Sequence, residues 1–381
     1  MRKAFAKKNP KNKYFTHNNN QNSNDEFIFD TNNENEKGTP IWMKPETKEI
    51  KNINERFPQE ILDYVNYIIP NTEKLDKCQE TINLLTEIIK NKKPKWKVVL
   101  FGSYGQNIPT VFSDIDILII SDEYNKDFEL KQMYNLMDIL KEEGFCEQIK
   151  LVKAKVSILK ATCINTGINV DISMNQENGY HAIGVVKKIL KRYEILKPSI
   201  IILKILLKKF DLNESSSGGM PSFLLFHLLY FFYIQKYKIN NIGDKNEYSP
   251  NEKIIINPDG NIIDKEEIKN EKLIDNDINI GEFILSFLKY FGFEFDYKNN
   301  GLSLNDDNFG KIFDKNERPD IKYNKYICVE SIMEKGRDIG KSCFNYNKIV
   351  NLFKAVYDKI NSEYQNNTCS ILQSLGFPQL I

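Results

Sequence analysis

Three carboxylates and one glycine turn carry the chemistry of this chain. In the stretch 98–121, VVLFGSYGQNIPTVFSDIDILIIS, Asp114 and Asp116 stand two apart. On a β-strand such residues share a face, and Ile115 and Ile117 take the other. Burying two like charges on an apolar strand is unfavourable unless a cation neutralises them, and carboxylate oxygens are the ligands that Mg²⁺ prefers. Just upstream, Gly102 permits a close turn, and Ser103 supplies a hydroxyl and backbone N–H groups suited to a phosphate. By itself a D-x-D pair reads as a solvated strand; beside the Gly-Ser turn it points to nucleotide chemistry. Further along, Asp171 lies between Val170 and Ile172 on what reads as a buried strand, an awkward place for a lone charge. It either caps the following segment or joins the first two acids on a shared metal.

Cations stand at a helical spacing of four. Lys204 and Lys208 share one helix face among Ile200, Ile201, Leu203, Ile205, Leu206 and Leu207. They either snorkel to water or neutralise the β and γ phosphates of a bound triphosphate. The turn SSSGGMPS at 215–222 leads into another helix. Glycines followed by the Ser222 hydroxyl at a helix start read as a phosphate site or as a plain loop. Phe223 offers either a stacking face for a base or a core side chain.

The elements that must position these residues follow from composition and periodicity. The chain has 381 residues, 41% of them hydrophobic, enough for two or three domains with real cores. With 53 basic and 52 acidic residues the formal net charge is +1, so no global positive field holds a nucleic acid. The six cysteines are scattered and only three histidines are present, which suggests neither a zinc site nor a disulfide framework, and reducing compartments fit best. No apolar run reaches the roughly 18 residues of a membrane span, and no secretory signal is read at the start.

Residues 1–38, rich in Asn and Lys, read as a disordered tail. Helices are expected near 50–68 and 72–90, the strand with the glycine turn from 98, a helix at 129–142 ended by Gly144, and strands at 155–160 and 167–173. Helices then dominate at 182–193, 195–210 and 223–237. Residues 240–279 read as a polar insertion, followed by a helix at 280–291, short strands near 293–304 and a last helix around 350–360. The fold class is α+β and bilobed. Its parts are a tail at 1–38, N-terminal helices at 39–92 packing partly on the central domain, a catalytic domain at 93–176, a mainly helical domain at 177–362 with the insertion 240–279, and a C-terminal tail at 363–381.

The order of GTPIW, FGSYGQNIPTVFSDIDILII, KAKVSILK, INVDISMNQENG, ILKILLKKFDLNESSSGGMPSF, GEFILSFLKYFG and GRDIGKSCF resembles the noncanonical poly(A) polymerases that serve as catalytic subunits of TRAMP-type nuclear RNA surveillance complexes. These belong to the DNA polymerase beta-like nucleotidyltransferase superfamily. The resemblance implies a five-stranded nucleotidyltransferase domain and a mainly helical central domain with a poly(A)-polymerase-associated region, with ATP in the cleft between them.

By matching positions, the resemblance implies that Asp114, Asp116 and Asp171 bind two Mg²⁺ (or Mn²⁺) ions and that Gly102 and Ser103 touch the triphosphate. Lys204 and Lys208 would hold its terminal phosphates, Asn178 and Gly179 would lie near the ribose, Ser222 near the phosphates, and Phe223 on the base. It further implies RNA 3′-end adenylation from ATP, a zinc-knuckle RNA-binding protein and an RNA helicase as partners, and residence in the nucleus. The sequence departs from the family where the base is chosen. Ser331 and Ile332 replace an acid-proline pair, and Arg337, followed by Asp338, stands where adenylyl-adding relatives have Asn and uridylyl-adding ones His. Arginine is a donor-only group that suits guanine O6 and N7 better than it mimics an amide. Adenylyl, uridylyl and mixed base use are the readings within the enzyme class; an inactive scaffold of a surveillance complex is the reading outside it.

Overall fold

The computed structural model describes residues 27, 29, 38–121, 129–153, 156–174, 177–237, 278–305, 310–319 and 326–380. Most of the expected N-terminal tail and nearly all of the expected insertion 240–279 lie outside the described residues. Two side chains of that tail region are placed: Phe27 and Phe29 set their rings edge-on against Phe210, with centroids 5.2 and 5.8 Å away.

The short helix α1 (Pro45–Glu49) leads into α2 (Ile53–Ile68) and α3 (Thr72–Lys92). Each of the two long helices starts at an Asn whose side chain accepts a backbone N–H, Asn52 from Asn54 at 3.0 Å and Asn71 from Lys74 at 2.9 Å. They serve different cores. The apolar stripe Phe57, Ile61, Tyr64 and Ile68 of α2 is buried in the helical core. Leu75, Cys78, Ile82, Leu85 and Ile89 of α3 pack instead on the five-stranded sheet.

That sheet is built from β1 (Trp96–Phe101), β2 (Ile115–Ser121), β3 (Ile149–Val152), β4 (Ile158–Thr162) and β5 (Asn169–Met174), in the order β1-β2-β5-β4-β3. Only β2 and β5 run parallel; the other neighbours are antiparallel. Helix α4 (Gly102–Gly105) is a single turn directly after β1, and α5 (Glu129–Glu142) returns across the sheet. Alternation decides the faces. Ile115, Ile117 and Ile119 of β2, with Val170, Ile172 and Met174 of β5, are buried against α3 and α5. Asp116 and Asp171 therefore lie on the opposite face.

The larger core joins α2 to α6 (Glu177–Arg192), α7 (Leu196–Lys209), α8 (Ser222–Tyr237), α9 (Ile280–Lys289), α10 (Tyr346–Asn366) and α11 (Ile371–Ser374). Helix α8 is its axis, with every side chain from Leu224 to Ile234 buried. Each such large apolar side chain is worth roughly 1.5–3 kcal/mol. A π-turn, Tyr290–Glu294, extends α9 past the helix end expected at 291 and into the first two residues of the expected strands. A small sheet then forms from β6 (Asn300–Ser303), β7 (Lys311–Asp314) and β8 (Val329–Glu330), in the order β7-β6-β8.

The end of the chain differs from the expected tail. Through residue 380 it is packed: Ile371, Leu372, Leu375 and Phe377 are buried, and the Phe377 ring sits edge-on to Tyr64 at 5.1 Å. The cause is a buried carboxylate. Glu60 of α2, 1% exposed, accepts Ile371 N and Leu372 N at 3.0 Å each and the Ser370 hydroxyl, and so closes the start of α11. Arg56, one turn earlier, donates to the Ile50 and Thr368 carbonyls. Among the described residues no helix is long and apolar enough to cross a membrane.

Candidate active site

The sheet register places the acids. Asp116 on β2 lies opposite Asp171 on parallel β5, and Asp171 opposite Lys160 on β4. Asp114 immediately precedes β2, and Asn169 Nδ2 donates to its Oδ1 at 3.5 Å while Asn169 Oδ1 accepts the Thr162 hydroxyl at 2.8 Å. The three charges crowd one another. Burial and then the neighbouring Asp171 and Asp114 push the Asp116 carboxyl up to about 7, against the pull of Lys204 and Lys160. Burial also raises Asp171, while Lys160 draws it back down.

Gly102 makes room for this cluster. Its φ is +57°, and a Cβ there would stand 1.9 Å from Asp116 Oδ2, so no other residue fits without moving the carboxylate. The next residue, Ser103, faces the helical core. Lys204 Nζ on α7 donates to Ser103 Oγ at 2.8 Å and reaches the Ile108 carbonyl at 3.4 Å. One turn later Lys208 Nζ donates to the Phe112 carbonyl at 3.2 Å. Lys74 of α3 holds the Val111 carbonyl at 3.1 Å, and Val111 N donates to the Ile68 carbonyl at 2.8 Å. The loop that delivers Asp114 is thus gripped by three lysines from two helices. Burial lowers the Lys204 ammonium to about 8 even though Asp116 pulls it up, and burial lowers Lys208 as well.

On the helical side, Ser222 is the first residue of α8 and Phe223 the second, both half-buried. The preceding turn is fixed by its glycines. Gly218 has φ +78°, and a Cβ there would enter the Phe344 ring. Asn345 closes the contact, its N–H donating to the Gly218 carbonyl at 2.9 Å and its Nδ2 to the Ser217 carbonyl at 2.6 Å.

The hairpin 330–338 is tied to α8 through one side chain. Ile332 N donates to His227 Nε2 at 3.1 Å, and His227 Nδ1 bonds the Phe223 carbonyl at 2.8 Å. This assigns the neutral tautomer with the proton on Nδ1, and burial pushes the imidazole down to about 4. Inside the hairpin, buried Glu330 accepts Gly336 N at 2.8 Å and Arg318 Nη2 at 2.9 Å. Asp338 Oδ1 accepts Val329 N at 3.0 Å and Gly340 N at 2.8 Å. Arg337 is exposed and donates to Glu334 at 2.9 Å.

The structure therefore brings Asp114, Asp116, Asp171, Gly102, Ser103, Lys204 and Lys208 together, and sets Phe223 one helical turn from the residue that anchors the Arg337 hairpin. One oxygen of Asp338 is engaged by backbone. Asn178 and Gly179 lie in the first turn of α6, and their side chains fall outside the described residues. The sequence reading passed over Lys160, Asn169, His227 and Glu330. Lys160 lay in plain view in the KAKVSILK motif, but an outward lysine on an amphipathic strand carries no signal of what faces it.

The donor set suits a hard divalent cation, since it is all carboxylate oxygen and leaves Asp116 crowded by like charge. Among the described residues no three His, Cys, Asp or Glu side chains are already drawn together as a metal cage. At the edge of the set, the Lys160 ammonium bonds Asp171 Oδ2.

Comparison with known proteins agrees with this geometry. Residues 57–190 match the family described as poly(A) RNA polymerase, mitochondrial-like, central palm domain, and residues 279–333 match the Cid1 family poly A polymerase domain. Poly(A) RNA polymerase cid14 of Schizosaccharomyces pombe is 25% identical over 316 residues, covering 82% of this chain and 42% of that protein. Poly(A) RNA polymerase protein 2 of Saccharomyces cerevisiae is 25% identical over 331 residues, covering 86% and 50%. The chain thus spans half or less of these relatives' lengths. Among solved structures, the polymerase core of TRAMP, an RNA surveillance complex, superposes with a TM-score of 0.67 at 23% identity over 86% of this chain and 94% of that one. A cytoplasmic RNA terminal U-transferase gives 0.67 at 18% identity over 86% and 100%. Both domain models match in order along one polymerase-type fold, and the chain is similar to the noncanonical poly(A) polymerases.

Proposed function

We propose that the chain adds adenylates from ATP to RNA 3′ ends without a template. The observation that carries this reading is the pairing of Asp116 with Asp171 in register, facing the Ser103 and Lys204 contact. A carboxylate set beside a cationic group, with Lys204 acting electrostatically on Asp116, supports a site for a metal-bound triphosphate. The RNA 3′-oxygen attacks the α-phosphorus, the bond to the β-phosphate oxygen breaks, and pyrophosphate leaves. Bound to Asp114, Asp116 and Asp171, Mg²⁺ or Mn²⁺ ions would lower the pKa of the attacking hydroxyl and neutralise the leaving group. Asp171 is the carboxylate placed to take the hydroxyl's proton. Lys204 and Lys208 hold the terminal phosphates, Ser103 orients them, and Phe223 stacks on the base.

Mixed base use is the second reading, and Arg337 at the selector position favours it. Arg337 is exposed and engages Glu334 through Nη1, which leaves its other N–H donors for a base edge. The scaffold reading is disfavoured because all three acids and both lysines are present. A net charge of +1 supports dependence on a separate RNA-binding partner, of the zinc-knuckle kind, with a helicase, in a nuclear surveillance setting.

The test is extension of a short labelled RNA with each of the four nucleotides, with and without Asp116→Asn. Extension with ATP alone, lost in the variant, is the expected result. Preference for UTP or GTP transfers the reading to mixed use with Arg337 as selector, and absence of extension with every nucleotide, even with a zinc-knuckle RNA-binding partner added, refutes catalysis.

A further inference from the structure

Strand β4 alternates with Leu159 and Ala161 buried beneath the sheet, so Lys160 between them is confined to the face that carries the acids. It stands opposite Asp171 in register, and its ammonium bonds Asp171 Oδ2. The lysine side chain is 48% exposed and the carboxylate 18%. The contact therefore lies at the rim of the cluster, open to exchange with solvent. The acceptor it occupies is the kind of oxygen a divalent cation needs.

We propose that Lys160 is a resident counter-ion that stands in for metal: it holds Asp171 in the ligand-free protein, and an incoming divalent cation must displace it. This rests on the reading of Asp114, Asp116 and Asp171 as metal ligands. Three carboxylates on one face repel, and a single ammonium relieves part of that repulsion, so the unliganded cluster keeps its shape. Parting the ammonium from Asp171 is subtracted from the affinity for metal. When a nucleotide triphosphate arrives, its phosphates give the displaced ammonium a new anionic partner at the same rim. Metal and nucleotide then favour each other's binding reciprocally, and the site takes metal poorly alone and well with nucleotide.

The test is Mn²⁺ binding to the purified full chain, read as loss of the free-ion EPR signal, with and without a non-hydrolysable ATP analogue. Wild type is compared with Lys160→Met, Lys160→Arg and Asp116→Asn, with circular dichroism confirming that each is folded. Lys160→Met is expected to bind Mn²⁺ alone about tenfold more tightly and to gain less from the nucleotide, while Lys160→Arg stays near wild type. Unchanged or weaker Mn²⁺ binding by Lys160→Met, with Asp116→Asn losing it, overturns the counter-ion role and leaves the acid site standing. Wild-type Mn²⁺ binding by Asp116→Asn overturns both.

Discussion

Lys204 and Ser103 join the two cores: the ammonium at the middle of α7 donates to the hydroxyl that follows the glycine turn at 2.8 Å. The lysine belongs to a helix whose apolar side chains are buried in the helical core, and the serine to the turn that precedes the acid strand. A charge of this kind, lowered by burial to about 8, is disposed to give up its hydroxyl and carbonyl partners for phosphate oxygens.

Lys204→Met is therefore expected to lower kcat/KM for nucleotide by about a hundredfold, the scale of removing one fixed charge from a developing anion. Ser103→Ala, which leaves the ammonium in place, is expected to lose only about tenfold. Steady-state kinetics with varied nucleotide checks both, and equal effects would show that the hydroxyl, and not the charge, holds the phosphates.

Gly102→Ala tests whether the turn exists for the carboxylate. The new methyl would overlap Asp116 Oδ2 and require a positive φ from alanine. The backbone strain alone is worth about 1–2 kcal/mol, a modest fraction of a domain's stability. The displaced carboxylate is expected to cut extension by at least about a hundredfold. Thermal unfolding measured beside RNA extension separates these, and an active variant would mean that Asp116 is free to move.

Glu60 and the last helix give a prediction about stability. Glu60→Ala leaves the Ser370 hydroxyl and two amide N–H groups of α11 buried without their acceptor, an expected loss of about 2–4 kcal/mol. Removal of residues 363–381 strips Ile371, Leu372, Leu375 and Phe377 from the helical core and is expected to yield aggregated protein. A truncated chain that remains monomeric with an unchanged melting temperature would refute the packing role of this segment.

How far these relationships could be read in advance follows from what each leaves in a linear pattern. The acids were legible because alternation fixes the face of Asp114 and Asp116, and the Gly-Ser turn lies within the same short stretch. The parallel pairing of β2 with β5 was not, since half a hundred residues and two other strands lie between them, and Lys160 becomes meaningful only through that pairing. Glu60 reads as a surface acid of an amphipathic helix until the chain end, 310 residues later, returns to it. Helix α11 is one turn long and has no period to detect. His227 leaves no signal inside an apolar helix, because its role depends on Ile332 arriving from another element.

That role yields a prediction with a sign. His227 is buried and accepts Ile332 N through Nε2, a lone pair that protonation removes. Its folded-state pKa, pushed down to about 4 by burial, lies below the value of about 6.5 in an unfolded chain. Between these values the unfolded chain binds a proton that the folded chain does not. The contribution of His227 is therefore complete above pH about 6.5 and falls away by up to about 3 kcal/mol as the pH drops toward 4. Glu60, pushed up to about 7 by burial, acts in the opposite sense over an overlapping range, so the measurement must be a difference. His227→Gln keeps an acceptor for Ile332 N but does not titrate. Urea unfolding of both proteins across pH 4 to 7 is expected to show wild type losing stability relative to the variant as the pH falls. Parallel curves would mean that the imidazole titrates alike in the folded and unfolded chain, and that burial and the Ile332 contact do not hold it neutral.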